Sequence, residues 1–246
     1  FTVNARADGS SKFAKGKQWG YFPSGAVAWR FSEEPFMKEV GKVLTDGKMR
    51  VSYGSVGNNR VGDFSYMASL AGAGQFSYPF NNTYTRGTVP FGNGNADLRW
   101  ETSTQLDIGL NLSFFNDRIS MEADYYNKRT KDFLLLRQLP NVTGYSGTQG
   151  NLQYQNTGVI NNRGFELTIN TVNIKTRNFT WNSSFNISFN KGKIIEFYDG
   201  YETMETLLNL PGGNSTTAWI ATKGGPISRF YGYVWDGVYQ YKDFNA

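Results

Sequence analysis

The chain has 246 residues, a net charge of +5, 39% hydrophobic and 16% aromatic residues, only 18% charged residues, 28 Gly, and neither Cys nor His. The missing Cys excludes disulfides, iron–sulfur clusters and thiolate zinc sites, and the missing His excludes Ser-His-Asp and Cys-His nucleophiles and every His-ligated metal. Abundant aromatics (15 Tyr, 19 Phe, 6 Trp) exclude a disordered chain, and scattered rather than clustered Lys and Arg argue against nucleic acid. No stretch reaches the roughly 18 uncharged apolar residues of a membrane helix, and no charged n-region with an apolar h-region opens the sequence. A transmembrane β-barrel passes this filter, because its strands alternate polar and apolar residues and average to mild hydrophilicity.

Taken in order, Phe1–Arg6 alternates as a strand and is followed by a long connection from Asp8 to Trp19. Ala26–Phe31 is the second strand, and Ser32–Gly47 a moderate connection in which Ser32 is expected to cap a brief helix that Gly47 helps end. Lys48–Gly54 is the third strand, before a long connection from Gly57 to Leu98. The clearest segment is Arg99–Phe115. Trp100, Thr102, Thr104, Leu106, Ile108, Leu110, Leu112 and Phe114 share one face, and Glu101, Ser103, Gln105, Asp107, Gly109, Asn111 and Ser113 the other. A two-residue Asn116-Asp117 turn is expected to lead into a fifth strand, Ile119–Lys128. After a long connection from Asp132 to Gly158, a second hairpin joins Gly164–Thr171 to Phe179–Asn190 through a short turn at Asn173–Asn178. A long connection from Gly192 to Thr216 precedes an aromatic strand candidate, Phe230–Gln240.

The strand over Arg99–Phe115 far exceeds the usual five or six residues, which points to a wide barrel or an extended solvated sheet. Long connections follow strands one, three, five and seven, and shorter ones lie between, as in an outer-membrane barrel with long external loops and short periplasmic turns. Lipid offers no hydrogen bonds, so a spanning sheet must close and turn its amides, hydroxyls and acids into a wet lumen. Trp100, Phe114, Phe115, Phe179, Trp181 and Phe189 stand where interfacial girdle residues would. The expected fold class is therefore all-β: an antiparallel transmembrane β-barrel segment of about eight strands from a larger barrel.

With the strands placed, RADGSSKF (Arg6–Phe13), WGYFPSGAVAWRFSEEPFMK (Trp19–Lys38) and DGKMRVSYGSVGNN (Asp46–Asn59) resemble the barrel of SusC/RagA-type TonB-dependent outer-membrane transporters. So do LRWETSTQLDIGL (Leu98–Leu110), DYYNKRTKDFLL (Asp124–Leu135), LPNVTGYSGTQGNLQYQNTGVINNRGFEL (Leu139–Leu167) and GGPISRFYGYVWDGVYQ (Gly224–Gln240), in the family's order. The resemblance implies import of large nutrients, glycans or peptides, through a channel in the Gram-negative outer membrane. It also implies a SusD-like surface lipoprotein as partner and the TonB complex as energy source. Residues 1–246 correspond to part of the barrel, with plug domain, signal peptide, TonB box and C-terminal strands absent, and TonB contacts would belong to the missing N-terminal part.

Candidate substrate contacts are Asn58, Asn59, Tyr66, Phe76, Tyr78, Phe80, Asn82 and Tyr84 of the richest external connection. Aromatic faces stack on sugars or clamp peptides, and amides offer paired donors and acceptors. The glycine-rich pieces of that connection lack the GxxxxGK[ST] pattern of a phosphate cradle. Glu122 and Asp124 share one strand face at about 7 Å, a spacing open to a glycosidase pair, but they are equally the charges of a wet lumen wall. No residue is assigned a catalytic, cofactor or metal role, and the chain is expected not to be an enzyme. The alternative is a soluble or secreted β-rich carbohydrate-binding or adhesion module.

Overall fold

The computed structural model describes residues 1–71, 77–139, 142, 152–209, 215–235, 237 and 238. Seven long strands form one antiparallel sheet: β1 (Thr2–Gly9), β2 (Trp19–Trp29), β3 (Leu44–Asn58), β8 (Glu101–Phe114), β9 (Ile119–Lys131), β12 (Gly158–Lys175) and β13 (Thr180–Phe197), each beside the next in that order. Between β3 and β8 lie β4 (Ser69–Ala71), β5 (Tyr78–Phe80), β6 (Thr83–Thr85) and β7 (Val89–Gly92), with β5–β6 as a hairpin inside the β4–β7 pair. A hairpin of β10 (Leu134–Gln138) and β11 (Leu152–Asn156) stands between β9 and β12, and β14 (Thr203–Asn209), β15 (Ser215–Thr222) and β16 (Arg229–Phe230) follow β13.

The period-2 pattern becomes two chemically opposite faces because the ladder keeps side chains in register across strands. Val51, Ile108, Tyr125, Phe165 and Phe189 form one row, and Met49, Leu110, Ala123, Leu167 and Ile187 the next. On the opposite face the matching rows are Ser52, Asp107, Tyr126, Gly164 and Asn190, then Arg50, Gly109, Asp124, Glu166 and Ser188. Along β8 the apolar run from Leu106 to Phe114 covers the roughly 9–11 residues that a tilted strand needs to cross hydrocarbon. Phe165, Phe185 and Phe189 remain well exposed on this face, as a lipid-facing surface requires.

Two glycines of the polar face make room for the interstrand contacts. A Cβ at Gly109 would collide with an Asp124 carboxylate oxygen and fall 2.8 Å from an Arg50 nitrogen, and one at Gly164 would meet the Tyr126 ring at 2.7 Å. Arg50 thereby reaches across β8 to Glu122 (2.7 Å) and Asp124 (3.0 Å) on β9.

Seven of the eight expected strands form, most of them longer than the alternation indicates. β12 and β13 each run 18 residues, so Lys193–Phe197 is strand rather than loop. The eighth candidate, Phe230–Gln240, is strand only at Arg229–Phe230; among its described residues Tyr231–Trp235 form no ladder. The β8–β9 turn holds four residues rather than two, with Phe115, Asn116 and Asp117 all at positive φ (54°, 55° and 63°). This turn is tied down by Phe115 N donating to Val43 O and Asn116 N donating to Thr45 Oγ1. The β2–β3 connection contains three 3-10 turns, at Phe31–Glu33, Pro35–Met37 and Val40–Lys42, with no capping bond from Ser32. The Ser32 hydroxyl donates instead to Asp46, and Gly47 lies within β3.

The buried core sits at the long-connection end. Phe13 and Leu98 are fully buried and Val61 nearly so, with Trp100, Leu134 and Tyr154 packed against them. Trp100 contacts Phe13 and Phe22 at ring-centroid distances of 5.4 and 5.5 Å, and its indole N–H donates to Gln18 O. It is therefore a loop-core residue and not the girdle residue the alternation suggests, because β8 begins one position later.

Two expectations follow. Arg50→Met leaves Glu122 and Asp124 facing one another without their cation; with these groups partly exposed, the cost is about 1 kcal/mol, read as a lower midpoint of heat-modifiable electrophoretic mobility of the folded barrel. Phe13→Ala removes a fully buried ring at about 3 kcal/mol and is expected to open 59–100 to limited proteolysis while the long strands stay protected.

Candidate functional site

At the end of the sheet opposite the tight turns, the β1–β2, β3–β8 and β9–β12 connections meet above the polar face. They are fastened at their bases by long-range bonds: Asn59 Nδ2 donates to Ser10 Oγ (3.0 Å), Lys12 Nζ to Val61 O (2.8 Å), Asn95 Nδ2 to Tyr154 O (2.9 Å) and Gln153 Nε2 to Gly94 O (3.0 Å). Lys17 donates to Asp97 at 2.5 Å, and this bond holds the Asp97 carboxyl below the usual carboxylate range. Asp132 accepts from Arg99 (2.6 Å) and from the Tyr198 hydroxyl (3.1 Å); burial pushes the Tyr198 phenol up, and the Asp132 charge adds to that.

These ties shape an open cleft of about 700 Å³ between the base of the β3–β8 connection and the β10–β11 hairpin. Its lining includes Asp63, Phe64, Met67, Asn93, Leu136 and Tyr154. Phe64 is held at positive φ (57°) with its ring largely exposed, and Met67 is also exposed, so the cleft offers aromatic and thioether surface beside a carboxylate and an amide. Such a lining suits stacking and edge hydrogen bonding rather than bond-breaking chemistry.

The residues expected to touch substrate fall into three groups. Asn58 and Asn59 are engaged within the protein: Asn58 donates to Glu101 Oε1 (3.2 Å) and accepts from Arg60 N (3.0 Å), and Asn59 binds Ser10. Asn82 forms, with Asn81, the left-handed two-residue turn of the β5–β6 hairpin (φ 48° and 58°), the geometry preferred between paired strands. Tyr78 and Phe80 share one side of that hairpin, Tyr84 opposite Pro79 lies on the other, and all three rings are exposed. Tyr66 is half-buried, and Phe76 lies outside the described residues. The cleft residues Phe64, Met67 and Tyr154 are not singled out by composition or alternation. Asp63-Phe64 beside Gly62 is the one local signal, a turn-prone stretch carrying an aromatic ring.

Below the cleft, Gln105 Nε2 donates to Asp107 (2.8 Å), Ser52 Oγ to Asp107 (3.3 Å), and Ser103 and Thr130 share a hydrogen bond (2.8 Å). Glu122 and Asp124 both bind the Arg50 guanidinium rather than standing as an acid and base pair. Three buried polar atoms without a partner among the described residues, Arg50 Nε, Asn111 Oδ1 and Asn162 Oδ1, all belong to this polar face. No group of three or more Asp or Glu suited to a metal ion occurs among the described residues.

Residues 1–245 match the family described as TonB dependent receptor-like, beta-barrel. The chain is 37% identical over 245 residues to TonB-dependent receptor P3 of Formosa agariphila, covering 99% of this chain and 23% of that protein. It is 36% identical over 239 residues to TonB-dependent receptor SusC of Bacteroides thetaiotaomicron, covering 95% and 23% respectively. Among solved structures, the RagAB peptide importer in its closed-closed state superposes with a TM-score of 0.77 at 26% identity, over 93% of this chain and 23% of that one. The chain spans less than a quarter of the length of these relatives. With the two-faced antiparallel sheet, the parity of its connections and a family match along nearly all its length, the chain belongs to the TonB-dependent receptor β-barrel family, whose barrels are outer-membrane proteins.

Proposed function

We propose that residues 1–246 form part of the wall and outer vestibule of an outer-membrane channel that imports large nutrients, glycans or peptides, with a SusD-like surface lipoprotein as its lid and the TonB complex as its energy source. The observation that carries this is the sorting of the two sheet faces, apolar rows outward and amides, hydroxyls and paired charges inward, in a chain that matches the receptor family from end to end. A wall of this kind conducts and orients cargo; it performs no chemistry on it. The relatives are about four times as long, and the lumen-filling plug and the TonB-contacting segment are assigned to regions outside these residues.

Within the vestibule the cleft lined by Phe64, Met67 and Tyr154 is assigned to cargo, since exposed rings beside Asp63 and Asn93 can stack and hydrogen-bond at once. The hairpin tip carrying Tyr78, Phe80 and Tyr84 is assigned to first contact with cargo or with the lid, because its rings face solvent on both sides. Likeness to a peptide importer favours peptides as the first cargo to test.

Placing Ile108→Lys and Leu110→Lys together in the product of the whole gene is expected to abolish outer-membrane assembly, because two charges would face hydrocarbon at about 2–4 kcal/mol each. Unchanged assembly of that variant, or recovery of the folded protein in a detergent-free soluble fraction, overturns the transporter reading. Phe64→Ala with Tyr154→Ala is expected to leave surface levels intact and raise the half-saturating cargo concentration for uptake about 30-fold, from the loss of stacking of about 1 kcal/mol per ring. Labelled oligopeptide and oligosaccharide pools measured side by side identify the cargo class.

A further inference from the structure

The apolar outer face of the sheet ends abruptly on the long-connection side. Immediately beyond the row Tyr125, Phe165 and Phe189, the same face carries Asn127, Arg163 and Lys191, and the row after that carries Arg129, Asn161 and Lys193. Arg163 and Lys191 are direct cross-strand partners, and Arg129 and Lys193 flank Asn161 on either side. Lys131 continues the series on β9. Cross-strand neighbours lie about 5 Å apart at Cβ and diagonal ones about 7–8 Å, so four cations fall within a patch roughly 10 Å across.

Like charges placed directly opposite destabilise a ladder unless an anion joins them. None of Arg129, Lys131, Arg163, Lys191 and Lys193 forms an ion pair among the described residues, and all five are exposed. The nearest acid on this face, Glu196 opposite Val159, lies above the patch and forms no ion pair there either. The outward positions of β8, β9 and β12 contain no Asp or Glu at all, whereas the inward positions of the same strands carry Glu101, Asp107, Glu122, Asp124 and Glu166. On these strands the acids are thus confined to the inner face, where they share it with Arg50, Lys48 and Lys128, and the outer face carries cations alone. On the inside Arg50 is held by two carboxylates; on the outside the cations stand together, edged on the membrane side by Tyr125, Phe165 and Phe189. Asn161 Nδ2 donates to Asn127 Oδ1 at 2.7 Å, which fixes the amides between the charges and leaves the four cationic arms around them.

From this arrangement we infer that the outer face of β9, β12 and β13 holds an anionic lipid of the outer leaflet through its phosphate groups, the phosphates bridging Arg129, Arg163, Lys191 and Lys193 and the acyl chains lying along Phe165, Phe185 and Phe189. The ligand is a phosphorylated amphiphile rather than free phosphate, because the cations adjoin an aromatic surface that a small ion cannot use. Arg supplies paired donors that match phosphate oxygens, and Lys adds point charges at the rim. The inference rests on the membrane placement proposed above.

The test uses the product of the whole gene, purified and returned to phosphatidylcholine vesicles or nanodiscs, with bisphosphorylated lipid A and its dephosphorylated form as probes and retained lipid read by native mass spectrometry. The expected result is retention of bisphosphorylated lipid A over the dephosphorylated form. A loss on the order of 1000-fold in apparent affinity is expected in the variant combining Arg129→Gln, Arg163→Gln, Lys191→Gln and Lys193→Gln, each cation near an anionic surface contributing about fivefold. The charge-preserving set Arg129→Lys, Arg163→Lys, Lys191→Arg and Lys193→Arg is expected to keep binding, and inorganic phosphate at the same concentration to leave it undisturbed. Equal retention by the Gln variant, no preference for the phosphorylated lipid, or displacement by inorganic phosphate overturns the inference while the protein stays inserted. A co-purifying polypeptide lost in the Gln variant with lipid retention unchanged overturns the lipid as occupant. Recovery of the unsubstituted protein outside the vesicles, extractable by alkali, overturns the membrane placement itself and the inference with it.

Discussion

Register is the constraint on which the rest of this structure depends. Between the irregularities at Leu44–Asp46, Val159–Ile160 and Val172–Ile174, five neighbouring strands keep each side chain on its face, and a slip of one residue in any ladder would carry Asp107, Asp124 and Glu166 to the apolar side and Ile108, Leu110 and Phe165 to the polar one. The register is pinned from both ends and from the middle. The β8–β9 turn is bound to Val43 and Thr45, the connections above are locked around Phe13, Leu98 and Trp100, and Arg50 passes over Gly109 to reach two carboxylates that are two residues apart on β9. The Arg50 contacts are worth little as free energy at a half-exposed surface, but a shifted ladder cannot make them, so they discriminate one alignment from its neighbours.

The long strands are legible in the sequence because their periodicity is imposed by two different environments, and alternation sustained through all of Arg99–Phe115 does not arise in a strand that meets a single solvent. Phe165, Leu167 and Ile169 against Glu166, Thr168 and Asn170 can be read without coordinates. Where strands stop is not legible. Lys193–Phe197 lacks clean alternation because the register shifts opposite Val159–Ile160 and the backbone of Gly224 and Gly225 bonds to Ile194, so an apolar residue is buried at a position of the polar face. Trp100 obeys the alternation and still points elsewhere, since its contacts with Phe13 and Phe22 come from a distant part of the chain that no local pattern encodes. Conversely, the aromatic Phe230–Trp235 stretch has the composition of a strand, yet beyond Phe230 it joins no ladder among the described residues.

The candidate vestibule shows the same division. Composition marks the β3–β8 connection as rich in rings and amides, but it does not separate side chains that build the loop from those left free. Asn58, Asn59 and Asn82 spend their bonding or backbone preferences on the loop itself, whereas Phe64, Met67 and Tyr154 come together only because Asn95 and Gln153 tie two connections side by side. A cleft between two loops is a tertiary object, and neither loop's sequence contains it.

The unusual length of β12 and β13 carries a mechanical consequence. From Phe189 to Phe197 the hairpin continues for eight residues beyond the last lipid-facing ring, which at the usual rise and strand tilt lifts its upper end about 20 Å above the hydrocarbon. A β-ladder of that height is a stiff collar rather than a tether. It holds the connections it carries at a fixed height above the hydrocarbon, on a rim that does not bend with the bilayer beneath it.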